Sequence, residues 1–162
     1  MRIKFTNLYK LAPNKKKLFN KIKKNIKGSK FIGGDIINDF CEIFKNFVKI
    51  KYVVPVANGT DALEIAIQSL DLPKNSEIIV PVNTWISTAE AVVSNSMKIV
   101  FCDINLDDYT INIEDLKKKI TKKTKVILPV HLYGSVANLN GIKKLIKNKK
   151  IFLIDDCAQA HG

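Results

Sequence analysis

Residues 15–27, KKKLFNKIKKNIK, place Leu18, Phe19, Ile22 and Ile26 on one helical stripe, and Gly28-Ser29 closes the pattern. After the Gly33-Gly34 break, Ile36, Ile37, Phe40, Ile43, Phe44, Phe47 and Val48 recur at helical spacing, with Asp35 as the expected N-cap. From Tyr52 the period changes. The short β-branched runs YVVPVA (52–57), EIIVP (77–81), KIVFCDI (98–104), KVILPV (125–130) and IFLI (151–154) alternate with helical patterns over 60–70, 86–95, 113–120 and 139–148.

Continuous apolar strands alternating with helices predict an α/β fold of three layers, α/β/α, with a mostly parallel sheet covered on both faces by right-handed crossovers. The change of period sets the expected boundary between a helical segment, 1–50, and an α/β region, 51–162. Pro55 removes a ladder donor from the first run, so that strand is expected at an edge.

Composition narrows the partners. The chain has 162 residues and a formal net charge of +12, which raises nucleic acid or an anionic membrane. Arg2 is the sole arginine among 27 basic residues, however, and arginine is the residue that grips phosphate and reads guanine edges in a bidentate way. The lysines are spread along the whole chain among Ile and Asn, so neither nucleic acid nor membrane is expected as a partner. No run approaches the ~18 apolar residues of a membrane span, and Cys41, Cys102 and Cys157 are too widely spaced for a zinc ribbon or disulfide framework. The expectation is a soluble cytoplasmic protein without a metal.

In an open α/β sheet, ligands bind beyond the carboxyl ends of the strands, and four polar clusters fall there. ANGTDAL (57–63) places Gly59, Thr60 and Asp61 at a helix start, where free N–H groups favour a phosphate; the bland alternative is a capped turn. PVNTWISTAE (81–90) carries the single tryptophan, Trp85, either as a core residue or as a stacking plate. LPVHLYG (128–134) holds His131, a possible general base, a ring-stacking partner or a satisfied structural histidine.

The fourth cluster is IDDCAQAHG (154–162). Strand alternation turns Phe152, Ile154 and Asp156 to one face and Ile151, Leu153 and Asp155 to the other, which weakens a paired-carboxylate hydrolase. A metal site on Asp155, Asp156 and His161 matches no zinc spacing, and Cys157 with either histidine lacks a surrounding nucleophile signature.

Taken in order and spacing, NGTDAL, NTWIST, PVHLYG and DDCAQAHG resemble the DegT/DnrJ-type nucleotide-sugar aminotransferases, which are fold-type-I, pyridoxal-phosphate-dependent enzymes. The resemblance covers nearly the whole chain, and residues 51–162 then correspond to the first part of the cofactor-binding large domain. It implies pyridoxal 5'-phosphate as cofactor, with Gly59, Thr60 and Asp61 at its phosphate. Trp85 would lie on the pyridine ring, Asp156 would pair with the ring nitrogen and Gln159 would contact the phenolic oxygen. His131 stays near the site without an assigned role, and Asp155 departs from the glutamate expected there.

The implied reaction moves an amino group from glutamate or another amino-acid donor to a keto group of a nucleotide-linked sugar, in surface polysaccharide or glycoconjugate synthesis, and the full-length enzyme is expected as a homodimer. The family carries its Schiff-base lysine downstream of AQAHG. The 162 residues are therefore expected to be an N-terminal part that is inactive and poorly folded alone, with Tyr52–Ala57 left without the late strand it pairs with and its apolar faces exposed. Two other readings stay open: a catalytically dead remnant serving as a binding or assembly module, and a related sugar dehydratase.

Overall fold

The computed structural model describes residues 7–161. The chain divides into two compact units between Val54 and Pro55.

The first unit is helical. A short helix α1 (Leu8–Leu11) is followed by α2 (Lys15–Lys27) and α3 (Asp35–Val48), the two helices read from the apolar stripes. Gly34, at φ 83°, takes the N-cap position of α3, and Asp35, expected as the cap, is the first helical residue instead. The left-handed φ explains the exchange, since glycine alone reaches that conformation without a Cβ clash, and the Asp35 carboxylate still sits favourably against the helix N-terminus. Phe40 stacks on Phe44 with ring centroids 5.6 Å apart, four residues on and one turn away.

The second unit is the α/β body. Its helices are α4 (Gly59–Gln68), α5 (Ile86–Ser94), α6 (Ile113–Lys119) and α7 (Leu139–Ile146). Its strands are β1 (Glu77–Pro81), β2 (Lys98–Cys102), β3 (Thr124–Ile127) and β4 (Phe152–Leu153). The four strands form one sheet in the order β2-β1-β3-β4, every pair parallel. α4, α6 and α7 start on Asn58, Asn112 and Asn138, each accepting a hydrogen bond from the N–H three residues on.

Alternation sorts the core. Ile78 and Val80 of β1, Val126 and Leu128 of the β3 run and Ile154 pack with Leu63 and Ile67 of α4 and Ala91 and Val92 of α5. Ile79, Cys102 and Ile127 face the other way, against Leu116 of α6 and Ile142 of α7, with Ile151 and Leu153 beside them. All five residues of β1 are buried because this central strand is covered on both faces.

The run Tyr52–Ala57, read as a strand, forms none, and Tyr52 and Val54 are exposed, as expected of a run left without its sheet neighbour. Three valines give it β propensity, but a strand is held by its ladder, and among the described residues no neighbour pairs with it. Pro55 also lacks a donor. Among the described residues no helix is long and apolar enough to cross a membrane.

Candidate active site

The carboxyl ends of β1, β3 and β4 carry three of the four polar clusters, and a hydroxyl contact brings the start of α4 to them. β1 ends at Pro81, and Val82–Trp85 lead into α5, whose first turn is the hub of the site. Trp85 is the N-cap residue of α5 and is 73% exposed. The ring is therefore exposed and not packed in the core.

Two residues on, the Ser87 hydroxyl accepts a 2.9 Å hydrogen bond from the Thr60 hydroxyl, which ties the start of α4 to the start of α5. Thr88 is buried; its hydroxyl donates to Asp156 Oδ2 at 3.4 Å and shares a 3.0 Å hydrogen bond with the Thr84 hydroxyl.

At the α4 start, Asn58 Oδ1 accepts the Asp61 N–H at 3.0 Å, so the capped-turn reading holds in part. Of the three residues proposed at a phosphate, Asp61 has its N–H committed to that cap. The N–H groups of Gly59 and Thr60 have no intramolecular partner among the described residues. A Cβ added at Gly59 would meet no atom within 4 Å, so the backbone there borders open space.

Asp156 is half-buried and fixed from several sides. Its backbone N–H donates to Pro129 O and its carbonyl accepts from the His131 N–H, both at 3.0 Å, in a parallel bridge with Val130. Oδ1 accepts from the Ala158 N–H at 3.0 Å. Asp155 is exposed, as the alternation predicts. Gln159 Oε1 accepts the Tyr133 N–H at 2.6 Å. A backbone N–H can only donate, so the amide carbonyl is the end it holds and the NH₂ is left to donate elsewhere.

His131 is buried, and its Nδ1 accepts the Ala137 N–H at 3.0 Å. Nδ1 is thus committed to the backbone of Ala137, and it is the His131 backbone, not the imidazole, that reaches Asp156. Burial, followed by the charges of Asp155 and Asp156, pushes the Cys157 thiol upward, which disfavours its thiolate. Among the described residues no three His, Cys, Asp or Glu side chains gather as metal ligands.

Sequence reasoning missed the hydroxyls of Thr84, Ser87 and Thr88. The signal was present in NTWIST, where Thr84, Ser87 and Thr88 crowd three hydroxyls around a helix start.

A sequence model of the DegT/DnrJ/EryC1/StrS aminotransferase family matches residues 13–162. A GDP-perosamine synthase from Vibrio cholerae is 35% identical over 80% of this chain and 35% of its own length. NtdA from Bacillus subtilis, solved with its bound cofactor PMP, superposes with a TM-score of 0.93 at 28% identity, over 99% of this chain and 38% of that one. An E. coli GDP-4-keto-6-deoxy-D-mannose-3-dehydratase with bound hydrated PLP gives a TM-score of 0.81 at 30% identity, over 85% of this chain and 37% of that one. The chain thus spans about a third of the length of the curated relatives it matches. Over that span, its parallel sheet is that of the fold-type-I aminotransferases. The chain belongs to the DegT/DnrJ/EryC1/StrS aminotransferase family.

Proposed function

We propose that the whole protein is a pyridoxal-phosphate-dependent aminotransferase that transfers an amino group, from glutamate or another amino acid, to a keto group of a nucleotide-linked sugar. The observation that supports this reading is that hydroxyl contacts tie the α4 start and Asp156 to the first turn of α5, which Trp85 caps, while the Tyr133 N–H holds Gln159 three residues beyond Asp156.

The residues present fit the cofactor. The open space at Gly59 admits a phosphate against two free N–H groups and the helix dipole. Trp85 offers an exposed aromatic face for the ring. Asp156, whose two oxygens already accept from Ala158 and Thr88, is held as an acceptor for a protonated ring nitrogen. The NH₂ of Gln159 is free to donate to the phenolic oxygen without adding charge.

When bound, the cofactor supplies an electron-withdrawing ring that takes up the charge left when a proton leaves the substrate carbon. The chain's own residues seat and orient that ring. Gly59 and Thr60 anchor the phosphate, Trp85 limits tilt and excludes water from one ring face, and Asp156 holds the proton on the ring nitrogen. The set Gly59, Thr60, Trp85, Asp156 and Gln159 contains no amine, so it binds and orients but does not itself link to the cofactor.

A homodimer in the cytoplasm, serving surface polysaccharide or glycoconjugate synthesis, completes the reading. It is supported by the family and by three free cysteines, which suit a reducing compartment. A second reading, a keto-sugar dehydratase, is favoured by the structural likeness to the E. coli enzyme.

The test supplies the whole protein with pyridoxal 5'-phosphate, glutamate and a panel of keto-sugar nucleotides, with products read by mass spectrometry. Gain of an amino group, lost in Asp156→Asn, is the expected result. Loss of water instead would establish the dehydratase, and no reaction despite cofactor binding would favour the non-catalytic module.

A further inference from the structure

The turn from Asn105 to Asn112 belongs to none of the four motifs, yet it is tightly knotted. Asp108 Oδ1 accepts from the Asn105 side-chain amide at 3.2 Å and from both the N–H and the hydroxyl of Thr110 at 2.9 Å. Asn112 donates to Asn105 Oδ1 at 2.9 Å, and an Ile104–Ile111 antiparallel bridge closes the base. From this knot Tyr109 projects with φ 59°, a left-handed conformation that is costly for a bulky side chain.

The ring of Tyr109 meets that of Tyr133 edge to face, with centroids 5.9 Å apart and planes at 82°. Tyr133 is itself left-handed, at φ 55° and ψ 20°, and Gly134 follows at φ 85°. This backbone aims the Tyr133 N–H at Gln159 Oε1. Two costly tyrosine conformations and one aromatic contact therefore converge on a single amide.

We propose that Tyr109 and Tyr133 are positioning residues for Gln159: their edge-to-face contact stabilises the left-handed turn whose N–H fixes which end of the Gln159 amide faces the cofactor. A free glutamine presents oxygen or nitrogen with similar ease, and only the nitrogen end donates to a phenolic oxygen. The value of the device to the enzyme rests on the proposed aminotransferase function; its geometry does not.

The test uses the whole protein with ¹⁵N-labelled glutamine and follows the side-chain amide resonances of Gln159, with Gln68 as an internal reference. Tyr109→Ala is expected to shift and narrow the Gln159 pair toward that of a mobile amide while Gln68 stays unchanged. It is also expected to weaken pyridoxal 5'-phosphate binding about 3- to 10-fold, the loss of roughly one hydrogen bond. Tyr109→Phe should preserve both. Tyr133→Gly, which keeps the N–H and reaches the left-handed turn without strain, should hold the Gln159 pair in place even when combined with Tyr109→Ala.

A Gln159 pair unchanged in Tyr109→Ala, or Gln68 moving equally, would overturn the proposal. A selective Gln159 response in a protein that binds no pyridoxal 5'-phosphate would uphold the positioning device and refute the cofactor reading instead.

Discussion

Thr88 and Asp156, 68 residues apart in the chain, meet through a hydroxyl-to-carboxylate hydrogen bond of 3.4 Å, and the same hydroxyl is shared with Thr84. Helix α5 thereby sets the orientation of a carboxylate that follows β4. Replacing Thr88 with Val keeps the shape and removes the donor, leaving Asp156 Oδ2 without it. Pyridoxal 5'-phosphate affinity is expected to fall about 3- to 10-fold, as for one ordinary hydrogen bond, because at 3.4 Å the contact is long for a hydroxyl-to-carboxylate bond, with Thr88→Ser restoring most of it. An absorbance titration checks this, and an unaltered Thr88→Val titration would contradict the role.

At the opposite end of β1, Glu77 is buried and accepts from the Thr121 hydroxyl at 2.5 Å and from Lys98 Nζ at 3.3 Å. The Thr121 hydrogen bond, opposed by burial and assisted by Lys98, holds its carboxyl below the ordinary value of 4.5. Because the folded value lies below the unfolded one, the stabilisation is present above about pH 4.5 and is lost as the pH falls through the folded value. Glu77→Gln is expected to be less stable at neutral pH and to show a flatter acid limb, read by urea unfolding from pH 7 to pH 3. Lys98 is mostly exposed, so Lys98→Met should matter less than Thr121→Val.

The central strand offers a packing contrast. Ile78 is fully buried in β1, and Ile65 is half-exposed on α4. Ile78→Ala should cost about 2–5 kcal/mol, against less than about 0.5 kcal/mol for a surface change such as Ile65→Ala. Denaturant titration of the two variants decides whether the sheet centre carries the stability.

The thiols should separate by reactivity. Burial beside Asp115 pushes Cys102 up to about 12, so at pH 8 it stays protonated and unlabelled by iodoacetamide until the protein unfolds. Cys157 is exposed, but its thiol is pushed upward as well, so it should label more slowly than a free thiol. Peptide mass spectrometry over a time course gives the order, and rapid native labelling of Cys102 would contradict its burial.

Most helices and strands were legible along the chain because their signals are local. The stripes of α2 and α3, the capped turn at the start of α4 and the buried run of β1 each depend on residues a few positions apart. Tyr52–Ala57 shows the limit of such signals: its valines carry strand propensity, but a ladder needs a neighbour, and propensity alone does not provide one. Trp85 was undecidable from sequence alone because exposure depends on what packs above a residue; its place at the start of α5 leaves the ring uncovered.

By itself, then, the sequence determined the alternation of apolar strands with amphipathic helices, the two faces of the sheet, and the positions of the polar clusters at helix starts and strand ends. These follow from periods of 2 and 3.6 residues and from capping chemistry. Only the tertiary structure decided the order β2-β1-β3-β4 and the contacts of Thr60 with Ser87, Thr88 with Asp156 and Tyr133 with Gln159. These pairs lie 27, 68 and 26 residues apart. Whether they meet depends on strand order, register and helix packing, which no local periodicity encodes.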